Sequence, residues 1–179
     1  MPTPSTTESR AQTMQSGAKN ELKSILATYR ARRLEAQERE ANIRTARAAF
    51  VESFRALKAE KIGPVLDEFV AELNEAGHQA SVVDQQEASD RNGQFTPASI
   101  ALRITPPRIG DSPGSPAAGT RIEVTFSANQ HTMKVLVSSS NNSNGTSGRR
   151  GDHELAELTT AFVEKNVLQT IREAYAIGK

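Results

Sequence analysis

The feature that most constrains this chain is a long stretch without glycine or proline, which runs from Ala18 to Ile62 and stops at Gly63-Pro64. The stretch is dense in Ala, Leu, Glu, Arg, Gln and Lys, which have the strongest intrinsic preference for the α-helix. Glycine often ends one helix, and proline is well tolerated in the first turn of the next. We therefore predict a long charged helical arm over residues 19–62, joined by a hinge at Gly63-Pro64 to a separate domain.

Residues 1–18 have a different composition, dominated by Ser, Thr, Pro and Gln. They offer almost no apolar surface, so ordering them would cost conformational entropy without a compensating gain from burial. We predict a disordered tail here. The tail has no apolar segment typical of a secretory signal, and the chain has no apolar run long enough to cross a bilayer. We therefore expect a cytoplasmic protein without a membrane span.

Residues 64–179 have the pattern of a small α+β domain. Apolar residues recur at helical spacing from Val65, and Gly77 ends that helix. Four predicted strands follow. Gln79–Asp84 is short and contains Val82 and Val83, and apolar and polar residues alternate in Ala98–Thr105, Thr120–Ser127 and His131–Ser138. Such alternation favours an antiparallel sheet with one packed face, and the short link between the last two strands favours a meander-like hairpin.

Two segments of the domain are predicted to be flexible loops. The first, 106–119, is rich in Pro and Gly, and the second, 138–151, consists mainly of Ser, Asn and Gly. The chain then ends in a helix, which we expect to pack on one face of the sheet.

The start of the C-terminal helix leaves two alternatives. Asp152 is a suitable N-cap for a helix that begins at His153. In the second alternative, which we favour, Thr159 is the cap, and Leu155 and Leu158 form a separate turn that docks on the core.

The arm contains an apolar series with the seven-residue spacing of a coiled-coil a position. The matching d positions include Arg32, Arg39 and Glu60, so a uniform two-stranded coiled coil is not expected. The apolar residues are concentrated towards the two ends, which favours packing of those ends on a partner, on a second copy or on the chain's own domain. The predicted partner or oligomer contacts are Leu22, Tyr29, Ile43, Phe50, Phe54 and Leu57.

The arm also carries a one-sided cationic stripe. Residues 19–61 contain 11 Lys and Arg against 6 Asp and Glu, whereas residues 64–179 contain 10 against 14. Most of the arm's cations fall within a helical sector of about 120°. Such a stripe could follow a phosphate backbone, and the alternative is a solvated face whose Lys and Arg stems cover apolar neighbours. The predicted nucleic-acid contacts are Arg30, Arg33, Arg44, Arg47, Arg55 and Lys58.

No residue pattern in the sequence points to catalysis. The chain has no cysteine, and His78, His131 and His153 lack the spacing of a metal site. The glycines of the second loop do not match a phosphate-binding motif. We therefore predict no metal, no cofactor and no enzymatic activity. The sequence indicates an interaction or structural protein that associates with itself or with a protein partner through its arm, with nucleic-acid binding as the alternative.

Overall fold

The computed structural model describes residues 16–89, 91, 94–107, 120–142 and 145–175. Most of the predicted tail and most of the predicted 106–119 loop lie outside these ranges. The chain divides into two compact units, Met1–Thr45 and Ala46–Lys179. In the first unit the described residues form part of a single long helix. The second unit contains the end of that helix and all other described elements.

The helical elements are α1 (Ser16–Leu57), a π-helical turn (Lys58–Ile62), α2 (Gly63–Glu75), a 3-10 turn (Leu155–Glu157) and α3 (Thr160–Tyr175). The strands are β1 (Gln79–Gln85), β2 (Ala88–Ser89), β3 (Phe95–Thr96), β4 (Ser99–Thr105), β5 (Ile122–Asn129), β6 (Lys134–Asn141) and β7 (Thr146–His153). None of the helices described is both long enough and apolar enough to cross a membrane.

The predicted α+β architecture is confirmed. A five-stranded antiparallel sheet has the order β1-β4-β5-β6-β7. The segment of sequence that connects β1 to β4 contains β2 and β3, which form a separate two-stranded ribbon. The helix α2 contacts β1 and β4, and α3 contacts β5. Alternate residues of the central strands, such as Leu102, Val124 and Val137, are fully or almost fully buried in one core together with Leu66 and Val163. Both helices therefore cover the same face of the sheet.

The fifth strand is a correction to the sequence prediction. Residues 138–151 were expected to form a flexible loop, but β6 continues to Asn141 and β7 begins at Thr146. The two strands pair from Val135 opposite His153 to Asn141 opposite Thr146. Serine, asparagine and glycine have low intrinsic preference for strands, so the local sequence gives no strand signal. The strand forms because the edge of β6 offers backbone hydrogen-bonding groups that must be paired or hydrated.

The predicted break at Gly63-Pro64 is also corrected, because the backbone stays helical through it. Gly63 has helical torsion angles (φ −53°, ψ −55°), and its N–H donates to the carbonyl of Lys58, five residues back. Proline has no N–H, and in a regular α-helix its ring collides with the carbonyl four residues back. A wider π-helical turn just before Pro64 is one way to accommodate this. At the other end, Ser16–Ala18 belong to α1 rather than to a disordered tail.

The start of the last helix agrees with the favoured alternative. The hydroxyl of Thr159 accepts a hydrogen bond from the N–H of Phe162 at 3.2 Å, as an N-cap does. Before it, a short 3-10 turn places Leu158 in the core with no exposed surface. The prediction of a Thr159 cap and a separate docking turn is therefore confirmed.

Gly63 is required by the close approach of the π-helical turn. A Cβ at this position would lie 2.9 Å from the carbonyl oxygen of Lys58, a backbone atom that cannot swing aside. We expect Gly63→Ala to lower the free energy of unfolding by about 1–3 kcal/mol, as overpacking does. The matched control is Gly17→Ala in α1, where nothing lies within 4 Å of the added methyl group. Urea denaturation measures both, and equal stability of the two variants would contradict the steric argument.

Candidate interaction surface of the helical arm

The first unit presents a helix with no buried side. All side chains from Gly17 to Thr45 are exposed. They include six large hydrophobic residues whose exposed fractions range from 43% to 63%, namely Leu22, Ile25, Leu26, Tyr29, Leu34 and Ile43. Single exposed hydrophobic residues are common on protein surfaces, whereas clustered ones mark contact sites.

Four of the six form one patch on two successive helical turns. Leu22, Ile25, Leu26 and Tyr29 are spaced i, i+3, i+4 and i+7, and at about 100° per residue they share a sector of about 100°. We call them the Leu22–Tyr29 patch. Leu34 lies about 120° around the helix from Leu22, and Ile43 is about four turns further along than Tyr29. The patch is thus the one compact apolar surface on the described part of this unit.

The predicted contact residues fall into two groups. Leu22, Tyr29 and Ile43 are exposed, and two of them belong to the patch. Phe50, Phe54 and Leu57 are instead buried in the core of the second unit, with exposed fractions of 9% or less. These three side chains hold the end of α1 on its own domain and offer no surface to a partner. Ile25 and Leu26 were not among the predicted contacts, although Ile25 is the d position that matches Leu22.

The predicted nucleic-acid contacts also differ in their exposure and in their ion pairs. Arg30, Arg33 and Arg44 are exposed, and Arg47 is half-buried. Arg55 is exposed but its guanidinium binds the carboxylate of Glu52 at 2.5 Å. The cationic stripe is therefore available in the first unit and is partly neutralised towards the end of α1.

Lys58, the last of the predicted cationic contacts, is a structural residue. Its side chain is only 3% exposed, and its ammonium forms an ion pair with Asp84. The same nitrogen donates to the carbonyls of Gln85 at 3.3 Å and Ser99 at 3.4 Å, and lies 5.9 Å from the centre of the Phe54 ring. The lysine thus ties the π-helical turn to the ends of β1 and β4. No sequence signal distinguishes it from the other cations of the arm, since its burial depends on contacts far along the chain.

The face of the sheet opposite the helices is polar and largely charge-balanced. Arg103 and Glu123 face each other on β4 and β5 with 2.9 Å between Nε and Oε2. Lys134 pairs with Glu154 at 3.0 Å, and the hydrogen bond and charge of Glu154 raise the pKa of this lysine. A groove of about 230 Å³ on this face is lined mainly by hydroxyl groups of β5, β6 and β7. None of the large, strongly exposed hydrophobic residues in the described part of the chain lies in the five strands of this sheet, and such residues usually form the centre of a protein interface.

Within the described ranges, no group of three or more His, Asp or Glu side chains is arranged to hold a metal ion. No family model matches the chain, and neither a curated protein nor a solved structure is significantly similar to it. A proposal for the function therefore rests on the described surfaces of the molecule.

Proposed function

We propose that this chain is a cytoplasmic, non-enzymatic interaction protein that associates with a second copy or another protein through its N-terminal helical arm. The observation that carries the proposal is the Leu22–Tyr29 patch, four large apolar side chains on adjacent turns of an exposed helix. Burying such side chains is the main source of free energy in protein association. The charge-balanced face of the sheet offers no comparable surface.

The state of the helix itself supports this proposal. Most helical stability in proteins comes from packing an apolar face against tertiary structure, and a helix exposed on all sides has none of that support. The arm in the first unit is exposed from Gly17 to Thr45. Packing the patch against a partner would supply the missing contacts.

The charges of the arm limit how a second copy can bind. A parallel pair over the whole length would place Arg32 against Arg32 and Arg39 against Arg39 at the inward d positions. Both contacts bring like charges together in a partly desolvated site. A second copy would therefore pack through the Leu22–Tyr29 patch itself, whose four side chains are all uncharged and self-complementary.

The patch is tested by the double variant Leu22→Ser with Leu26→Ser. We expect the unaltered full-length chain to be larger than a monomer in multi-angle light scattering, and the variant to associate at least about tenfold more weakly, a change of about 1.4 kcal/mol. Leu34→Ser is the matched control because Leu34 is exposed on a different side of the same helix. A full-length chain that is monomeric at about 100 µM would rule out self-association. If Leu34→Ser weakened association equally, the Leu22–Tyr29 patch would not be the contact surface.

Nucleic-acid binding is the second candidate function, and one observation favours it. The exposed guanidinium groups of Arg30, Arg33 and Arg44 form no ion pair within the described part of the chain. They fall within a sector of about 60° and span about 21 Å of helix, a distance over which B-DNA carries several phosphates. These three arginines could follow one strand of a duplex.

This candidate predicts retardation of a 30-base-pair DNA duplex, a length of about three helical turns, in a gel shift at low salt. Binding should weaken steeply towards physiological salt because each neutralised phosphate releases a counterion. The triple variant Arg30→Glu, Arg33→Glu and Arg44→Glu should abolish it. The control changes the exposed Arg91, Arg121 and Arg172 to glutamate, which alters net charge equally outside the arm. Equal loss in both variants would indicate only nonspecific attraction.

A further inference from the structure

The two edges of the Leu22–Tyr29 patch differ in charge. Three exposed cations lie side by side along one edge, namely Lys19, Lys23 and Arg30. At about 100° per residue they share a sector of about 40° next to Leu26, and no carboxylate between Gly17 and Thr45 falls in that sector. We call these three residues the cationic edge. Glu21 and Arg32 lie along the opposite edge, where their charges cancel.

The charges of the cationic edge have no counter-charge of their own. None of the three side chains forms an ion pair within the part of the chain that the structure describes. The ion pair described in the first unit joins Glu35 to Arg39, further along the helix. A carboxylate that a partner placed beside the patch would therefore meet cations that are not yet neutralised.

A second copy of the arm does not match this edge. A two-fold axis that relates antiparallel helices brings the same edge of both helices together, so the cationic edge would face itself. A parallel pair avoids that contact but aligns Arg32 with the same arginine of the second copy, directly after the patch. Either orientation sets like charges against each other, which weakens self-association without removing the apolar contact.

The acidic helix of the chain itself, α2, does not match the patch either. It contains no Lys or Arg, and its four carboxylates are exposed, namely Asp67, Glu68, Glu72 and Glu75. However, Val65 and Leu66 are buried in the core of their own domain, and none of the strongly exposed large hydrophobic residues lies on α2. The exposed side of α2 therefore has the charge but not the apolar centre that the patch requires.

The spacing of the patch indicates the form of a matching surface. Side chains at i, i+3, i+4 and i+7 project from one side of a helix and pack between the side chains of a second helix. The segment from Lys19 to Arg30 is about 17 Å long, which a partner helix of about 12 residues covers. Such a helix would place apolar residues on the patch and acidic residues over the cationic edge, as charged flanking positions do in coiled coils.

We propose that the preferred partner of the arm is an amphipathic helix of another protein that carries acidic residues along one edge of its apolar side. This inference rests on the proposed function, because it names the partner of the same patch. Nucleic acid would satisfy only part of the surface, since phosphates would bind the cations and leave the four apolar side chains exposed. The acidic helix covers both parts.

The test uses two synthetic helical peptides of three heptads, about 21 residues, that share the same leucine seam. One peptide has glutamate and the other has lysine at the positions beside the seam, and these like charges keep each peptide from pairing with itself. Each labelled peptide is titrated with the full-length chain and followed by fluorescence anisotropy. We expect the glutamate peptide to bind at least about tenfold more tightly than the lysine peptide, and to lose this advantage as the salt concentration rises.

Matched charge variants locate the contact. Lys19→Gln with Arg30→Gln removes two charges from the cationic edge and should weaken binding of the glutamate peptide about fivefold, the effect of two exposed ion pairs. Arg32→Gln with Arg39→Gln removes the same charge from the other side of the helix and should change binding by less than about twofold. Glutamine is a good helix former, so the helix is retained in both variants.

Three results would overturn this inference and leave the patch in place: equal binding of the two peptides, equal weakening by the two charge variants, or self-association tighter than binding of the glutamate peptide. The absence of binding by either peptide would also overturn it. Leu22→Ser with Leu26→Ser distinguishes a failure of the proposed function. If this variant binds the glutamate peptide as tightly as the unaltered chain, charge alone holds the peptide, and the Leu22–Tyr29 patch is not the contact surface.

Discussion

Phe54→Ala is expected to lower the free energy of unfolding by about 3–5 kcal/mol, the usual cost of removing a large buried aromatic side chain. Phe54 has no exposed surface and packs in the core shared by α1, α2 and the sheet. Its ring also lies under the ammonium of Lys58. The loss would show that the end of α1 is part of the domain, although the sequence pattern assigns this residue to a partner contact.

The matched control is Phe95→Ala, the same chemical change at a residue that is 43% exposed. It should cost under about 1 kcal/mol, since most surface substitutions have small effects. Urea denaturation measures the free energy of unfolding of both variants, provided that its slope against urea concentration is unchanged. A loss below about 1 kcal/mol for Phe54→Ala would contradict its position in the core.

The second large effect concerns the buried lysine. We expect Asp84→Ala to destabilise the protein by about 2–4 kcal/mol, because it leaves the ammonium of Lys58 buried without its counter-charge. The expected loss of stability is at the lower end of the range for breaking a buried ion pair, because the Asp84 side chain is 49% exposed and water can reach the site. The carbonyls of Gln85 and Ser99 compensate only in part.

Lys58→Met tests the same pair from the other side. Methionine has a similar length and no charge, so this variant removes the desolvation cost together with the ion pair and should change stability by less than about 1 kcal/mol. Asp67→Ala, at an exposed position of α2, is the control for loss of an aspartate. If Lys58→Met were as destabilising as Asp84→Ala, the lysine would contribute through its charge rather than through packing.

Much of the fold could be predicted from the sequence because its signals are local. Alternating apolar residues marked β4, β5 and β6, and these residues are the ones buried in the core of the structure. The shorter β1 was marked only by Val82 and Val83. The cap at Thr159 was likewise visible as a short polar residue before an apolar helical series. The strand β7 could not be predicted, because its residues favour turns and only the edge of β6 makes them extended.

In the arm, too, some features could be predicted from the local sequence and others depend on tertiary contacts. Its helical character follows from composition, and the helix extends over the predicted range. The seven-residue series from Leu22 to Leu57 is a single pattern in the sequence, yet its members up to Ile43 are exposed and its last two, Phe50 and Leu57, are buried in the core. Periodicity shows which side of a helix is apolar, but it carries no information on what covers that side.

The long stretch without glycine or proline determined by itself that residues 18–62 form an extended helix, because helix preference is a property of each residue and its near neighbours. The tertiary structure alone decided where that helix stops being exposed, that Gly63-Pro64 continues it, and that Lys58 is buried. It also placed Arg150, the extra residue of a bulge in β7, beside Glu173 of α3. These outcomes depend on contacts between residues far apart in the chain, whose free energies no local pattern contains.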